Sequence, residues 1–130
     1  MDNLAAMLST IKNSAMAKHE SCEFPYTTVK ERVANVMKVK GFLAEVRVFK
    51  PSGQHFKMIH VDLVYEGGVP KISQVEMVSK PGRRIYKGAN ELYKTLGGFG
   101  ISIVSTPRGI MEGSDARRKK LGGEVICKVY

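Results

Sequence analysis

Cysteine is scarce in this chain of 130 residues: Cys22 and Cys127, near opposite ends, are the whole complement. Neither sits in a Cys-x-x-Cys pair, so the clustered ligands of a structural zinc site are missing. Both thiols are expected to stay reduced, with Cys127 a small core residue. No apolar run approaches the roughly 20 residues that a membrane-spanning helix needs. The opening Met1-Asp2-Asn3-Leu4 lacks the basic start and continuous apolar core of a secretory signal. A cytoplasmic protein without a membrane partner is the expectation. The machinery of catalysis is equally thin. No Gly-x-x-x-x-Gly-Lys-Ser/Thr phosphate loop is present. Gly98-Phe99-Gly100 begins like a dinucleotide fingerprint but has no third glycine, and a helix is expected before it rather than a strand. His19, His55 and His60 stand far from any activated Cys or Ser, and the 12 carboxylates are scattered. These absences point away from an enzyme and imply no cofactor and no metal.

Positive charge is what the chain has in excess. There are 21 Lys plus Arg against 12 Asp plus Glu, a net of +9. The excess is uneven: residues 1–66 hold 9 basic and 7 acidic side chains, and residues 67–130 hold 12 and 5. A surplus held on one part of a folded domain attracts polyanions, of which nucleic acid is the commonest. Hydrophobic residues make up 43% of the chain, enough for a packed core.

Apolar spacing gives the element order. Leu4, Met7, Leu8, Ile11 and Ala15 recur at helical spacing. A second helix is expected after Pro25, with Thr28 and Glu31 at capping-box spacing and Val29, Val33, Val36 and Met37 on one face. Gly41 is placed to end it. The period then falls to two, through Val46 and Val48, a Pro51-Ser52-Gly53 turn, and a strand from Phe56 to Tyr65 with Ile59, Val61 and Leu63 on one face. A short strand near Phe24 is compatible with the pattern. Glu66-Gly67-Gly68-Val69-Pro70 reads as a linker. Beyond it come a strand over Ile72 to Val78, a Pro81-Gly82 turn, a strand begun by Ile85 and Tyr86, and a short helix capped by Asn90 carrying Leu92 and Leu96. A strand through Ile101 and Ile103, a basic helical turn at Arg117–Lys120, and a closing strand with Val125, Cys127 and Val129 complete the chain. The fold class is α+β in two small lobes: an N-terminal α/β lobe over residues 1–66 and a mostly-β lobe with short helices over residues 67–130.

Three clusters in the second lobe could carry recognition. Ser105-Thr106-Pro107-Arg108-Gly109 offers two adjacent hydroxyls, each able to donate and accept, beside a guanidinium that forks onto phosphate. Irregular RNA displays the matching base edges, ribose hydroxyls and phosphates. An ordinary Ser/Thr/Pro/Gly turn fits those residues equally well. Lys80-Pro81-Gly82-Arg83-Arg84-Ile85-Tyr86-Lys87 sets cations around a tight turn with one aromatic ring, reading either as a phosphate and stacking site or as a solvated basic hairpin. Glu124, after Gly122-Gly123, is an acid among bases. It could accept from a base amino group, orient an Arg or Lys, or simply end a strand. A basic face of this kind also suits an acidic protein, a partner that would survive ribonuclease treatment where an RNA-mediated one would not.

Taken together, Ser79-Lys80-Pro81-Gly82-Arg83-Arg84-Ile85-Tyr86, Gly100 to Met111 with its Ser105-Thr106-Pro107-Arg108-Gly109 core, and Leu121-Gly122-Gly123-Glu124-Val125-Ile126-Cys127 resemble the bacterial form of the small-subunit ribosomal protein eight family, in order and spacing across essentially the whole chain. The resemblance implies a non-catalytic ribosomal-RNA-binding constituent of the small subunit that engages a helical junction in the RNA's central domain and supports assembly. It implies neighbouring small-subunit proteins as partners, with the protein's own mRNA as a further one. It places the chain in a small subunit, in the cytoplasm or in an organelle of bacterial descent. By position, Ser105 and Thr106 match the family's RNA-contacting hydroxyls. Tyr86, Gly123 and Glu124 match positions near the same RNA surface, with Arg83, Arg84, Lys87 and Arg108 as surrounding cations. Lys12 and Lys30 match phosphate-type positions in the first lobe.

The chain also departs from the family. Pro107 stands where a polar residue is usual, a position that offers neither the hydroxyl nor the N–H of a third contact and that can stiffen the loop instead. Tyr26-Thr27-Thr28 replaces Ser-Ser-Lys. Glu112-Gly113 replaces a Thr-Asp cap, which leaves Ser114 as the expected cap of the last helix.

Overall fold

A computed structural model describes residues 3–92 and 100–130. The chain divides into two compact units, Asn3–Ser73 and a second beginning at Gln74 and ending at Tyr130. The fold is α+β.

In the first unit, α1 (Asn3–Met16) buries Met7, Leu8, Ile11 and Ala15, the stripe that helical spacing selects. β1 (Ser21–Pro25) follows, and α2 (Thr28–Val39) begins one residue earlier than the capping-box spacing suggests. Thr27, in extended conformation, is the cap and accepts the Lys30 N–H at 3.2 Å. The buried face is accordingly rotated to Lys30, Val33, Ala34 and Met37, and Val29 is left exposed. Gly41 adopts a positive φ of 88°, which lets the Phe42 N–H return to the Met37 carbonyl at 2.8 Å and close the helix. The strands β2 (Leu43–Phe49) and β3 (Met58–Leu63) join β1 in an antiparallel sheet of order β1-β3-β2. Ile59, Val61 and Leu63 are the buried side of its central strand. The strand expected from Phe56 to Tyr65 is shorter than its pattern, because Phe56 is exposed and Tyr65 opens a separate hairpin. That hairpin is β4 (Tyr65–Glu66) and β5 (Val69–Pro70), turned by Gly67 and Gly68 at positive φ. The segment read as a linker is thus itself hydrogen-bonded structure.

The second unit is an antiparallel sheet of order β6-β10-β8-β9, with β7 also on β10. Its strands are β6 (Val75–Met77), β7 (Tyr86–Lys87), β8 (Ile101–Thr106), β9 (Gly109–Glu112) and β10 (Gly123–Val129). β9 was not expected: four residues after a turn are too few to show a period of two. β6 is shorter than the expected 72–78 strand. Lys80 and Arg83 exchange backbone hydrogen bonds across the Pro81-Gly82 turn, at 3.0 and 2.8 Å. Ala89–Glu91 form a single 3-10 turn, and it is the Gly88 N–H, not Asn90, that the Glu91 carboxylate caps, at 2.9 Å. The expected place of Leu96, Gly97 and Gly98 lies outside the described residues. α3 (Gly113–Arg118) is capped by Glu112, whose carboxylate accepts the Ser114 N–H at 2.9 Å, so Ser114 is the capped residue and not the cap. Leu92, Val104, Ala116 and Val125 form the core beneath it, with Val78, Met111 and Leu121 packed around them. Both cysteines are free, and burial pushes the Cys127 thiol up to about 12.

Candidate nucleic-acid interface

The three recognition clusters are separated along the chain, and β10 brings them together. Glu124 pairs with Tyr86 of β7 on one side and with Ser105 of β8 on the other. Cross-strand partners stand side by side, so Tyr86, Glu124 and Ser105 form one row across three strands. Gly123 pairs with Lys87. These residues and Thr106 line a shallow concavity of about 580 Å³.

Two glycines make this closeness possible. A methyl group on Gly123 would collide with the Ser105 carbonyl oxygen, and one on Gly122 would lie 2.6 Å from the Lys87 carbonyl. Main chain therefore meets main chain where β10 enters between β7 and β8, a separation that other residues prevent.

Each polar side chain has a distinct state. Thr106 is buried. Its hydroxyl donates to the Gly109 carbonyl at 2.7 Å and accepts the Arg108 N–H at 3.2 Å. One hydroxyl has one proton to give, so its donor is spent inside the loop. Ser105 is half-buried, and among the described residues no partner takes its hydroxyl. Tyr86 is 69% exposed, so its ring is accessible to a stacking partner. Arg84 lies 3.5 Å from the Glu124 carboxylate, a loose pairing that turns both groups to the same face.

Lys87 lines the same concavity, Arg108 is exposed next to its Pro107, and Arg83 lines a different cavity with Lys80 and Ile85. The basic run after α3 is partly engaged: Arg118 pairs with Asp115 at 2.6 Å, and Arg117 donates to the Leu92 carbonyl at 3.3 Å. In the first unit, Lys12 is half-buried on α1. Lys30 is buried, with its ammonium donating to the Pro25 carbonyl at 3.1 Å, and desolvation lowers its pKa. Lys30 therefore braces the turn before α2.

Ser79 stands at the head of the basic-turn motif, but its structural role has no sequence signal. Its buried hydroxyl donates to the Val125 carbonyl at 2.8 Å and accepts the Ile85 N–H at 3.0 Å, fastening the basic turn onto β10. A serine before a Lys-Pro-Gly turn is too common a pattern to announce such a role.

Among the described residues no group of three or more His, Cys, Asp or Glu is placed to hold a metal ion, and no helix is long and apolar enough to cross a membrane. An α+β chain with a row of aromatic, carboxylate and hydroxyl side chains beside Lys87 and Arg84 has the build of a nucleic-acid-binding protein. Comparison with known proteins narrows this. A family model described as ribosomal protein S8 matches residues 2–130. The chain is similar to small ribosomal subunit protein uS8 of Pelagibacter ubique, 41% identical over 129 residues that cover 99% of this chain and 97% of that protein. Proteins of the same name from Dehalococcoides mccartyi, 43% identical, and Dictyoglomus thermophilum, 42% identical, match over 99% of this chain, with 98% and 97% of their own lengths covered. The chain belongs to the ribosomal protein S8 family.

Proposed function

We propose that the chain is a non-catalytic structural constituent of the small ribosomal subunit that binds small-subunit ribosomal RNA directly through the Tyr86–Glu124–Ser105 row. The single observation carrying this reading is that one strand, β10, gathers three separate polar clusters into one concavity, lined by an aromatic ring, a carboxylate and the Ser105 hydroxyl, which has no partner among the described residues. The row reads the shape and base edges of one folded RNA. Arg83, Arg84, Lys87 and Arg108 hold its phosphates and supply the salt-sensitive attraction. The target is a helical junction in the central domain of the RNA, bound early so that later proteins assemble on a fixed geometry. Neighbouring small-subunit proteins then complete its contacts, in the cytoplasm or an organelle of bacterial descent. A messenger folded like that junction would compete for the same concavity, which makes repression of the chain's own mRNA the regulatory counterpart.

The test is a titration of purified full chain with the central-domain RNA and with a scrambled RNA of equal length. The reading expects tight binding to the first, weak and strongly salt-dependent binding to the second. Equal affinity for both would overturn it.

A further inference from the structure

We infer that the second unit carries a small-ligand site on the face of its sheet turned away from the Tyr86–Glu124–Ser105 row, and that this site takes a nucleoside phosphate. The inference goes beyond the ribosomal-RNA reading and does not depend on it.

β10 has a second row at its far end. Lys128 pairs with Glu76 of β6 on one side and with Ser102 of β8 on the other. Successive residues of a strand point to opposite faces, so Ser102 and Ser105, three apart on β8, project from opposite sides of the sheet. The Glu76–Lys128–Ser102 row borders a cavity of about 500 Å³, a size typical of small-molecule sites. Val78, Leu92 and Val125 bring the margin of the core to its floor, and Ile85 extends that floor. Lys80, Arg83, Lys87 and Lys128 surround the mouth. Among the described residues none of these four cations has a carboxylate partner. Glu76 faces Lys128 across the ladder without reaching it, and the Glu91 carboxylate is taken by the Gly88 N–H at 2.9 Å. Ser102 is 6% exposed, yet its hydroxyl has no hydrogen-bond partner among the described residues. A methyl group on Gly113 would collide with that hydroxyl, so the glycine keeps its place open.

Three features of the cavity define its ligand. Cations gathered at one mouth repel one another and attract an anion. A buried hydroxyl without a partner costs free energy until something bonds to it. An apolar floor is stabilised by a ligand with an apolar body that covers it. Inorganic phosphate meets the first condition and leaves the floor wet. A fatty acid covers the floor and brings little for the hydroxyl. A nucleoside phosphate meets all three: phosphate for the cations, ribose hydroxyls for Ser102, and a flat base for the floor, with the Tyr130 ring at its edge.

The experiment titrates full-length chain by calorimetry with ADP and GDP, and with adenosine and pyrophosphate as the separated halves. The nucleotides should bind with a Kd below about 1 mM, and each half at least about tenfold more weakly. Ser102→Ala and Lys128→Gln, both checked for folding by thermal melting, should each weaken nucleotide binding about tenfold, the scale of one hydrogen bond to a charged or buried group. Arg83 and Lys87 stay unchanged because the RNA reading uses them, and Ser102→Ala should bind ribosomal RNA as the wild-type chain does. Amide NMR shifts on adding ADP should cluster at Glu76, Ser102 and Lys128. Any of four results overturns the inference and leaves the RNA reading standing. These are no nucleotide binding at about 1 mM, pyrophosphate binding as tightly as ADP, shifts centred on Ser105 and Glu124, or both variants binding ADP like wild type.

Discussion

The Thr106 hydroxyl gives its proton to the Gly109 carbonyl at 2.7 Å, closing the turn that carries Pro107 and Arg108. The residue that sequence places foremost among the RNA contacts is therefore also the one that shapes the loop. Gly109, with a φ of 117°, supplies a backbone geometry in which that carbonyl can accept. Thr106→Ser should keep both hydrogen bonds and bind RNA almost normally. Thr106→Val should cost on the order of 1–2 kcal/mol of stability, the usual range for a buried hydrogen bond lost with its partner stranded. It should also speed hydrogen exchange at the Arg108 amide. Chemical denaturation and amide exchange on the two variants check this. Unchanged exchange in Thr106→Val would show that the loop does not depend on the hydroxyl.

Ser105 should behave differently. Its hydroxyl has no partner among the described residues, so Ser105→Ala should leave melting within about 0.5 kcal/mol of wild type. Its affinity for the cognate RNA should fall by roughly tenfold. Paired melting and binding measurements separate the two hydroxyls: one acts on the fold, the other on the ligand.

Gly123→Ala tests the main-chain contact between β10 and β8. A methyl group at this position meets the Ser105 carbonyl oxygen, which belongs to the backbone and cannot swing aside. The variant should lose at least about 2 kcal/mol, in the range of other overpacked sites. The Tyr86–Glu124–Ser105 row should open with it. A melting temperature equal to wild type would contradict the close approach.

His60 gives a pH dependence in the first unit. Its Nδ1 lies 2.9 Å from the Glu23 carboxylate and its Nε2 lies 2.9 Å from Asp62. The hydrogen bond donated to Glu23 raises its pKa most and Asp62 adds to it, while desolvation and Arg47 oppose them. Because the folded value is raised, the stabilisation is full below the unfolded value near 6.5 and fades as pH climbs through the folded one. His60→Gln should therefore destabilise more at pH 5.5 than at pH 8.5, by unfolding free energies taken at both. A pH-independent difference would mean the carboxylates do not hold the charged ring.

Much of the fold was legible because its signals are periodic. The α1 stripe of Met7, Leu8, Ile11 and Ala15 and the β3 alternation of Ile59, Val61 and Leu63 both reach the core as their spacing requires. Short or locally satisfied elements were not legible. β9 is four residues long, and the β4–β5 hairpin around Gly67-Gly68 has the composition of a linker. The α2 cap shifted from Thr28 to Thr27 because two adjacent threonines offer the same hydroxyl, and tertiary packing of Lys30, Val33, Ala34 and Met37 chose between them. For the candidate site, sequence supplied the residue types, but their meeting depends on strand order. Nothing in the spacing of Tyr86, Ser105 and Glu124 says that β10 lies between the other two strands. The burial of Lys30 was not legible either, since a lysine reads as surface charge until its ammonium is seen on the Pro25 carbonyl.

The most direct measurement compares Ser105→Ala, Tyr86→Ala and the pair of changes together with wild-type chain, each titrated against cognate central-domain RNA and against scrambled RNA at one fixed salt concentration. If the row reads RNA shape, each single change weakens the cognate complex by roughly tenfold, the pair weakens it further, and the scrambled complex is unaltered. Equal weakening of both RNAs, or none of either, would contradict the account.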